Sequence, residues 1–154
     1  MFRVSKEFRF EANHNLPNHD GKCRNEHGHS YVVEVTIEGP DVVPVPQGSV
    51  GDPKEGMLLD FYDLSRIVQP FIGWFDHNGS LNFNLNRLAS SLGMVAEWVS
   101  TAELTAYVLY VAIGEALTSD EVLQDLNLQV HSVKVHETAK TTAEYIHDKC
   151  IGSI

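Results

Sequence analysis

Three histidines in the N-terminal part of the chain have the spacing of metal ligands. His27 and His29 are separated only by Gly28, and His14 precedes them. In an extended chain the side chains of residues i and i+2 point the same way, so His27 and His29 form a pair to which His14 can add a third nitrogen. Three neutral imidazoles suit Zn²⁺ and leave one position open for water or substrate. The alternative is three ordinary histidines at the wet rim of a sheet.

A cysteine lies close to this pair, and its role is open. Cys23 comes four residues before His27, between Lys22 and Arg24. Its thiol could be a fourth zinc ligand, which would close the site and make it structural. It could instead be a base or nucleophile beside an open metal, because neighbouring cations favour the thiolate. It could also be a loop thiol without a role, and the residues alone do not separate the first two possibilities.

Two further motifs contain carboxylates that could move protons or hold a ligand. In Asp76-His77 a carboxylate can orient an imidazole and stabilise its protonated form, although a surface pair would have the same sequence. Glu137 has the strand parity of Val133 and Val135, and a carboxylate that faces the core is costly unless it is paired. It could accept two hydrogen bonds from the N–H/NH₂ edge of a guanine-like ring, or it could lie in solvent at a strand end.

Two alternating segments must position the histidines. Residues 2–12 and 29–38 place apolar side chains at every second position, which predicts two half-buried strands. His14 continues the apolar parity of the first segment, and His27 and His29 continue that of the second. If these strands pair as a hairpin, the three imidazoles leave the core face together at one end of a sheet.

The rest of the chain predicts helices followed by two more strands. Asp60 is a natural N-cap for a helix that Pro70 should distort in its last turn. Residues 73–86 are loop-like and residues 87–98 suggest a short helix. A capping box at 100–103, which would account fully for Glu103, opens a helix that extends to about Leu117.

These elements predict an α+β fold with one antiparallel sheet. The last two strands are expected at 128–137 and 142–148, so that the order is ββααββ with four strands and two main helices. Residues 39–56 hold four Gly and four Pro, a composition that forms turns, and we expect an exposed excursion there.

Composition limits the class of protein. The 154 residues suit one domain, 1–154, and the net charge of −10 argues against a broad nucleic-acid or anionic-membrane surface. The longest uninterrupted apolar run is Ala106–Ile113, far below the roughly 20 residues of a membrane span, and the first residues contain no apolar signal-peptide core. Cys23 and Cys150 make no disulfide framework. We therefore expect a soluble protein of a reducing compartment, the cytoplasm.

Taken together, several motifs give the sequence a family resemblance. The chain resembles the 6-pyruvoyl-tetrahydropterin synthase family, closest to its bacterial 6-carboxy-5,6,7,8-tetrahydropterin synthase branch. The block from Cys23 to His29, with three residues between the cysteine and His-Gly-His, is the most specific motif. The other matching stretches follow in family order and are Phe10–His14, Leu59–Phe61, Asp76-His77, Thr101–Glu103 and His136–Thr138.

The resemblance implies a role for each candidate residue and a fold for the chain. The implied roles are zinc binding by His14, His27 and His29, proton transfer by Cys23 with Asp76 and His77, and recognition of a pterin by Glu137 with Thr101 and Glu103. The implied fold is the tunnelling (T-) fold, in which sheets from several subunits close into a β-barrel. Members are typically hexamers, built as dimers of trimers with active sites at subunit interfaces.

The activity implied by the resemblance is that of a carbon–carbon lyase. It would convert 7,8-dihydroneopterin triphosphate to 6-carboxy-5,6,7,8-tetrahydropterin, release acetaldehyde and triphosphate, and supply a precursor of 7-deazaguanine compounds such as queuosine. One alternative is elimination of triphosphate alone, which gives 6-pyruvoyl-tetrahydropterin. Another is a non-catalytic zinc protein that binds a pterin.

The sequence also departs from the family pattern at a few positions. Ser100 stands where Pro is usual before Thr101, and His136 stands where Lys is usual before Glu137. Segments 39–56 and 78–99 are longer than in compact members. Glu26, beside His27, is also notable, because some divergent relatives use a Glu near this position.

Overall fold

The strands and helices follow the predicted order, with three helices where two main helices were predicted. The computed structural model describes residues 1–42, 51 and 53–147. Its strands, in the antiparallel order β1-β2-β3-β4, are β1 (Phe2–His14), β2 (His27–Gly39), β3 (Gln129–Thr138) and β4 (Thr141–Ile146). Its helices are α1 (Phe61–Phe75), α2 (Leu81–Ser91) and α3 (Ala102–Ser119), with short 3-10 turns at Lys22–Arg24 and Gln124–Leu126. None of the described helices could span a bilayer, given their length and polarity.

All four predicted strands are confirmed, with ends that shift by one or two residues where they are described; residue 148 lies outside the described residues. The alternation is visible in β1, where Phe8, Phe10, Ala12 and His14 are buried between more exposed neighbours. Lys6 breaks the apolar pattern without burying its charge, because its ammonium group donates to the Ser65 hydroxyl at 2.6 Å.

The three helices cover one face of the sheet and enclose the core. Helix α1 packs on β1, and α3 packs on β3 and β4. At the centre the rings of Phe10 and Tyr31 stack with centroids 4.6 Å apart, and Phe75 of α1 contacts Phe10. This aromatic layer lies directly beneath the end of the sheet where the histidines emerge, because the His29 and Tyr31 rings are 5.5 Å apart.

The prediction for residues 73–98 is wrong, because α2 covers Leu81–Ser91 and residues 92–98 form no helix. The buried stripe of α2 consists of Leu81, Leu85 and Leu88 at helical spacing. Alternating asparagines between these leucines hide that spacing in the sequence, since Asn disfavours helix interiors. The predicted turn at Asn78-Gly79 is confirmed, and Gly79 adopts a φ of 76° there.

The predicted start of α3 is wrong by one residue. Thr101, not Ser100, is the N-cap, and its side chain accepts from the Leu104 N–H at 3.2 Å. Glu103 is therefore an exposed residue of the first turn and not the partner of Ser100 in a capping box. This shift frees the Ser100 hydroxyl for contacts inside the protein.

The other two local predictions have mixed outcomes. Asp60 is the N-cap of α1 and accepts from the Tyr62 N–H at 2.8 Å, as predicted. Pro70 lies inside α1 and not in its last turn, since the helix continues to Phe75. Pro70 is on the exposed side of the helix, where water can replace the hydrogen bond that its nitrogen lacks.

Of segment 39–56, residues 43–50 and 52 lie outside the described residues, and 53–56 form an exposed turn.

Candidate metal centre and neighbouring residues

The register of the β1–β2 hairpin brings the three histidines together. His14 is directly opposite His27, and His29 is opposite Ala12, two pairs further into the sheet. All three side chains therefore leave the same face, as the parity predicts. One ring nitrogen from each residue lies within 4.8 Å of the others, and within the described part of the chain this is the group that could hold a metal ion.

Backbone carbonyls orient two of the rings. The Nδ1 of His14 lies 2.9 Å from the Ser100 carbonyl oxygen, and the Nδ1 of His27 lies 2.8 Å from that of Asn25. A carbonyl only accepts, so each Nδ1 carries the proton and each Nε2 keeps its lone pair. This is the arrangement in which protein imidazoles bind metals through Nε2.

The free Nε2 atoms face one another. Those of His14 and His27 are 3.1 Å apart, and two lone pairs at that distance repel unless a cation or a proton lies between them. Two ligands of a tetrahedral zinc with bonds of about 2.0–2.1 Å are about 3.3–3.4 Å apart, so the spacing fits. The Nε2 of His29 is buried with no hydrogen-bond partner in the described structure, a further sign that the donor set fits a metal ion.

Burial favours the neutral form of two of these imidazoles, His14 and His29. His14 is only 2% exposed, and burial lowers the pKa of His14 and of His29 below the ordinary value. The Coulomb repulsion of the neighbouring imidazole of His27 lowers the pKa of both rings further, while Glu137 opposes this effect. Neutral rings leave their lone pairs available, which is the state that metal binding requires.

Glu137 lies beside this group, at the inward position that its parity predicts. Its Oε1 is 3.4 Å from the Nε2 of His29, within ion-pair range but without hydrogen-bond geometry. The carboxylate is about one quarter exposed, so it borders both the histidines and the solvent. Burial raises the pKa of the Tyr31 hydroxyl, and the negative charge of Glu137 raises it further.

Cys23 lies apart from the histidine group. Its thiol is free and partly buried on the turn Lys22–Arg24, and the Cys23 carbonyl accepts from the Leu16 N–H at 2.7 Å, which closes the loop between β1 and β2. Within the described residues the donor atoms that come together are those of three histidines, and the thiol is not among them. Cys150 lies outside the described residues.

Asp76 and His77 form the predicted pair at the free edge of β1. The His77 Nδ1 is 2.8 Å from Asp76 Oδ1, and the same oxygen accepts from the Glu11 N–H at 2.8 Å. The Glu11 bond is the main reason that the pKa of Asp76 is lowered. The backbone N–H of His77 donates to the Glu11 carbonyl, so the pair is fixed to strand β1. His77 has a φ of 50° and a side chain that is 74% exposed.

His77 and His29 border one shallow groove. The groove has a volume of about 330 Å³, and its other lining residues include Gly28 and Gly79. The groove therefore joins the surroundings of His77 to one residue of the histidine group. In the single chain, however, the Asp76–His77 pair is open to solvent and is not enclosed with the metal ligands.

The start of α3 adjoins the histidines through a residue that the sequence analysis missed as a site residue. Ser100 is completely buried and contacts the His14 Nδ1 with its carbonyl and with its hydroxyl, at 2.9 and 3.1 Å. Thr101 uses its hydroxyl to cap the helix, and Glu103 is exposed in the next turn. No sequence pattern points to Ser100 as a partner of His14, because the two lie 86 positions apart.

Comparison with known proteins agrees with the resemblance. The family model of 6-pyruvoyl tetrahydropterin synthase matches residues 3–148. The chain is 30% identical to the 6-carboxy-5,6,7,8-tetrahydropterin synthase of Haemophilus influenzae, over 94% of this chain and 99% of that one, and 33% identical to the enzyme of that name from Synechocystis, over 94% and 93%. The 6-pyruvoyl tetrahydropterin synthase of Caenorhabditis elegans has the same fold, with a TM-score of 0.68 at 23% identity and 96% coverage of both chains.

The geometry predicts different metal contents for two variants. His29→Ala removes one of three nitrogens and should leave the purified protein with little bound zinc. Cys23→Ala should keep near-stoichiometric zinc, because its thiol lies outside the group of donor atoms. Metal analysis after dialysis measures both. Loss of zinc from Cys23→Ala would show that the thiol is a ligand and that this description of the centre is wrong.

Proposed function

Because the chain belongs to the 6-pyruvoyl tetrahydropterin synthase family, we propose that it is a zinc-dependent lyase. Its substrate would be 7,8-dihydroneopterin triphosphate, and its products 6-carboxy-5,6,7,8-tetrahydropterin, acetaldehyde and triphosphate, a step towards 7-deazaguanine compounds such as queuosine. The observation that carries the proposal is the set of three imidazoles with facing Nε2 atoms and the Glu137 carboxylate beside them. The relatives that bear the 6-carboxy name over almost their whole length support this product.

The three histidines hold the metal ion as neutral ligands. Burial of His14 and His29 keeps them unprotonated, and the carbonyls of Ser100 and Asn25 keep two of the Nε2 atoms free. When bound, the zinc ion supplies Lewis-acid polarisation of the hydroxyls on the substrate side chain and so acidifies the adjacent carbon. Three protein ligands leave a position for the substrate to enter.

Two other groups move protons at the substrate side chain. The Cys23 side chain acts as one base or acid, because a thiolate can accept a proton and a thiol can return it. His77 acts as the second. The ionised Asp76 carboxylate accepts from His77 Nδ1, which orients the ring and leaves Nε2 for the substrate. We also place the enzyme in a reducing compartment, the cytoplasm, where thiols stay reduced.

Glu137 recognises the pterin ring. A planar carboxylate can accept two hydrogen bonds from the N–H/NH₂ edge of a pterin, and it would repel a triphosphate. Its position beside His29 puts the ring next to the metal ligands, where the side chain of the substrate must lie. Thr101 and Glu103 belong to the same substrate site in this proposal, since the adjoining Ser100 contacts His14.

We further propose that the active form is a hexamer with sites shared between chains. The described part of the chain leaves the outer edge of β4 and most of that of β1 without strand partners, and open edges invite pairing. Apolar side chains that are about half exposed lie near both edges. They are Phe2 and Phe61 near β1 and Ile146 on β4. Edge-to-edge pairing into a barrel would bury them, and it would enclose His77 against a neighbouring chain.

A product assay tests the reaction. The zinc-loaded protein should convert 7,8-dihydroneopterin triphosphate with equal amounts of acetaldehyde and triphosphate released, and His29→Ala should release neither. Triphosphate without acetaldehyde would assign the 6-pyruvoyl product instead. Substrate binding without release of either product would identify a non-catalytic pterin-binding protein and contradict the lyase.

Glu137→Gln tests pterin recognition. The change keeps the shape of the side chain and replaces one acceptor by a donor, so binding of a phosphate-free pterin should weaken by roughly 1.5–3 kcal/mol. Isothermal titration measures the affinity. Glu34→Gln is the matched control, because Glu34 is also a strand carboxylate but pairs with Lys134. Equal affinity of wild type and Glu137→Gln would refute the assignment.

Complementation tests the shared site. His27→Ala and His77→Ala are each expected to be inactive, but when co-expressed they should recover up to about a quarter of wild-type activity if His77 serves the metal centre of a neighbouring chain. His14→Ala with His27→Ala is the control pair, because both residues belong to one hairpin and cannot complement. A fully active monomer, or an oligomer in which the first pair recovers nothing, would contradict the shared site.

A further inference from the structure

A chain of hydrogen bonds connects α2 to the buried ring of His14. Asn82, in the first turn of α2, donates through its Nδ2 to the Asn15 carbonyl at 2.8 Å and to the Asn15 Oδ1 at 3.0 Å. The Ser100 hydroxyl donates to the Oδ1 of Asn82. Ser100 and His14 are 0% and 2% exposed, so water does not compete for the contact between these two residues.

The direction of every bond in this chain is determined by the one before it. The Asn15 carbonyl only accepts, so the NH₂ group of Asn82 faces Asn15 and its oxygen faces Ser100. The serine hydroxyl has one hydrogen, which it gives to that oxygen. Towards the Nδ1 of His14, at 3.1 Å, the Ser100 hydroxyl can therefore only accept, as the Ser100 carbonyl also does at 2.9 Å. Both contacts require the proton to be on Nδ1.

The proton position decides what the Nε2 of His14 can do. With the proton on Nδ1, Nε2 keeps its lone pair for a metal ion. With the proton on Nε2, that N–H would donate to the Nε2 of His27 at 3.1 Å, and the hydrogen bond would occupy the space between the two metal ligands. A Ser100 hydroxyl that is free to turn could donate to Nδ1 in competition with the Ser100 carbonyl, and would then populate this second state.

We propose that Asn82 is a positioning residue for the metal centre, because it fixes the orientation of the Ser100 hydroxyl, so that the hydroxyl reinforces the Nδ1–H tautomer of His14 that the Ser100 carbonyl favours. The inference rests on the proposed function, since it concerns the zinc site assigned there.

A double-mutant cycle tests the inference with zinc affinity as the readout, measured by competition with a chromophoric chelator. Asn82→Ala should weaken zinc binding about tenfold, the effect typical of losing a residue that orients a metal ligand. In the Ser100→Ala background the same substitution should have no further effect, because there is no hydroxyl left to turn. Additive losses would mean that Asn82 acts through general structure, and they would overturn the proposal.

Asn86→Ala is the matched control. Asn86 is one turn further along α2 and is also an asparagine that ties the helix to the segment before α3, through the N–H and carbonyl of Trp98. It has no described contact with Ser100 or His14. Its replacement should leave zinc affinity unchanged, and a loss equal to that of Asn82→Ala would overturn the proposal.

The tautomer itself can be observed without metal. Long-range ¹⁵N–¹H NMR of the metal-free protein should show the Nδ1–H form of His14 in wild type and a mixture of forms in Asn82→Ala. The Asn82→Ala/Ser100→Ala double variant has no hydroxyl left to turn and should recover the Nδ1–H form, because the Ser100 carbonyl remains as the acceptor. An unchanged tautomer in Asn82→Ala, or a mixture of forms that persists in the double variant, would refute the role of Asn82. A wild type that binds no zinc would refute the proposed function, while the tautomer still tests Asn82.

Discussion

The pairing register of β1 and β2 determines which side chains meet at the end of the sheet. With His14 opposite His27, three imidazoles leave the core face within 4.8 Å of one another. A slip of one residue would turn the histidines of one strand to the opposite face and separate them. The register is held by the buried apolar sets of both strands, including the stacked rings of Phe10 and Tyr31, so the packing of the core and the geometry of the site depend on the same constraint.

The histidine group carries a cost that a bound metal would remove. Three neutral rings are brought together with Nε2 lone pairs that face each other at 3.1 Å or remain without a partner. Unpaired buried polar atoms are unfavourable, by about 1–3 kcal/mol each. The carbonyls of Ser100 and Asn25 already accept from the Nδ1 atoms of His14 and His27. The nitrogens left without a partner are therefore the Nε2 atoms, which face the metal position. Metal binding and folding are coupled in such a site.

The sequence predicts the strands and the histidine group because both depend on a local period. Alternation every two residues specifies β1 and β2, and the same parity places His14, His27 and His29 on one face. Helix α2 could not be predicted in this way, because Asn82, Asn84 and Asn86 mask the spacing of its buried leucines. The function of Ser100 was also hidden, since its two partners lie 86 and 18 positions away and meet it only in the folded chain. The capping motif at 100–103 even suggested a different role for it.

The central claim is that three histidines and no thiol hold the metal ion. X-ray absorption at the zinc edge of the zinc-loaded protein measures this directly. The account predicts a first shell of nitrogen and oxygen atoms at about 2.0–2.1 Å, with outer-shell scattering from three imidazole rings. A sulfur atom at about 2.3 Å, or scattering from fewer than three imidazoles, would contradict it.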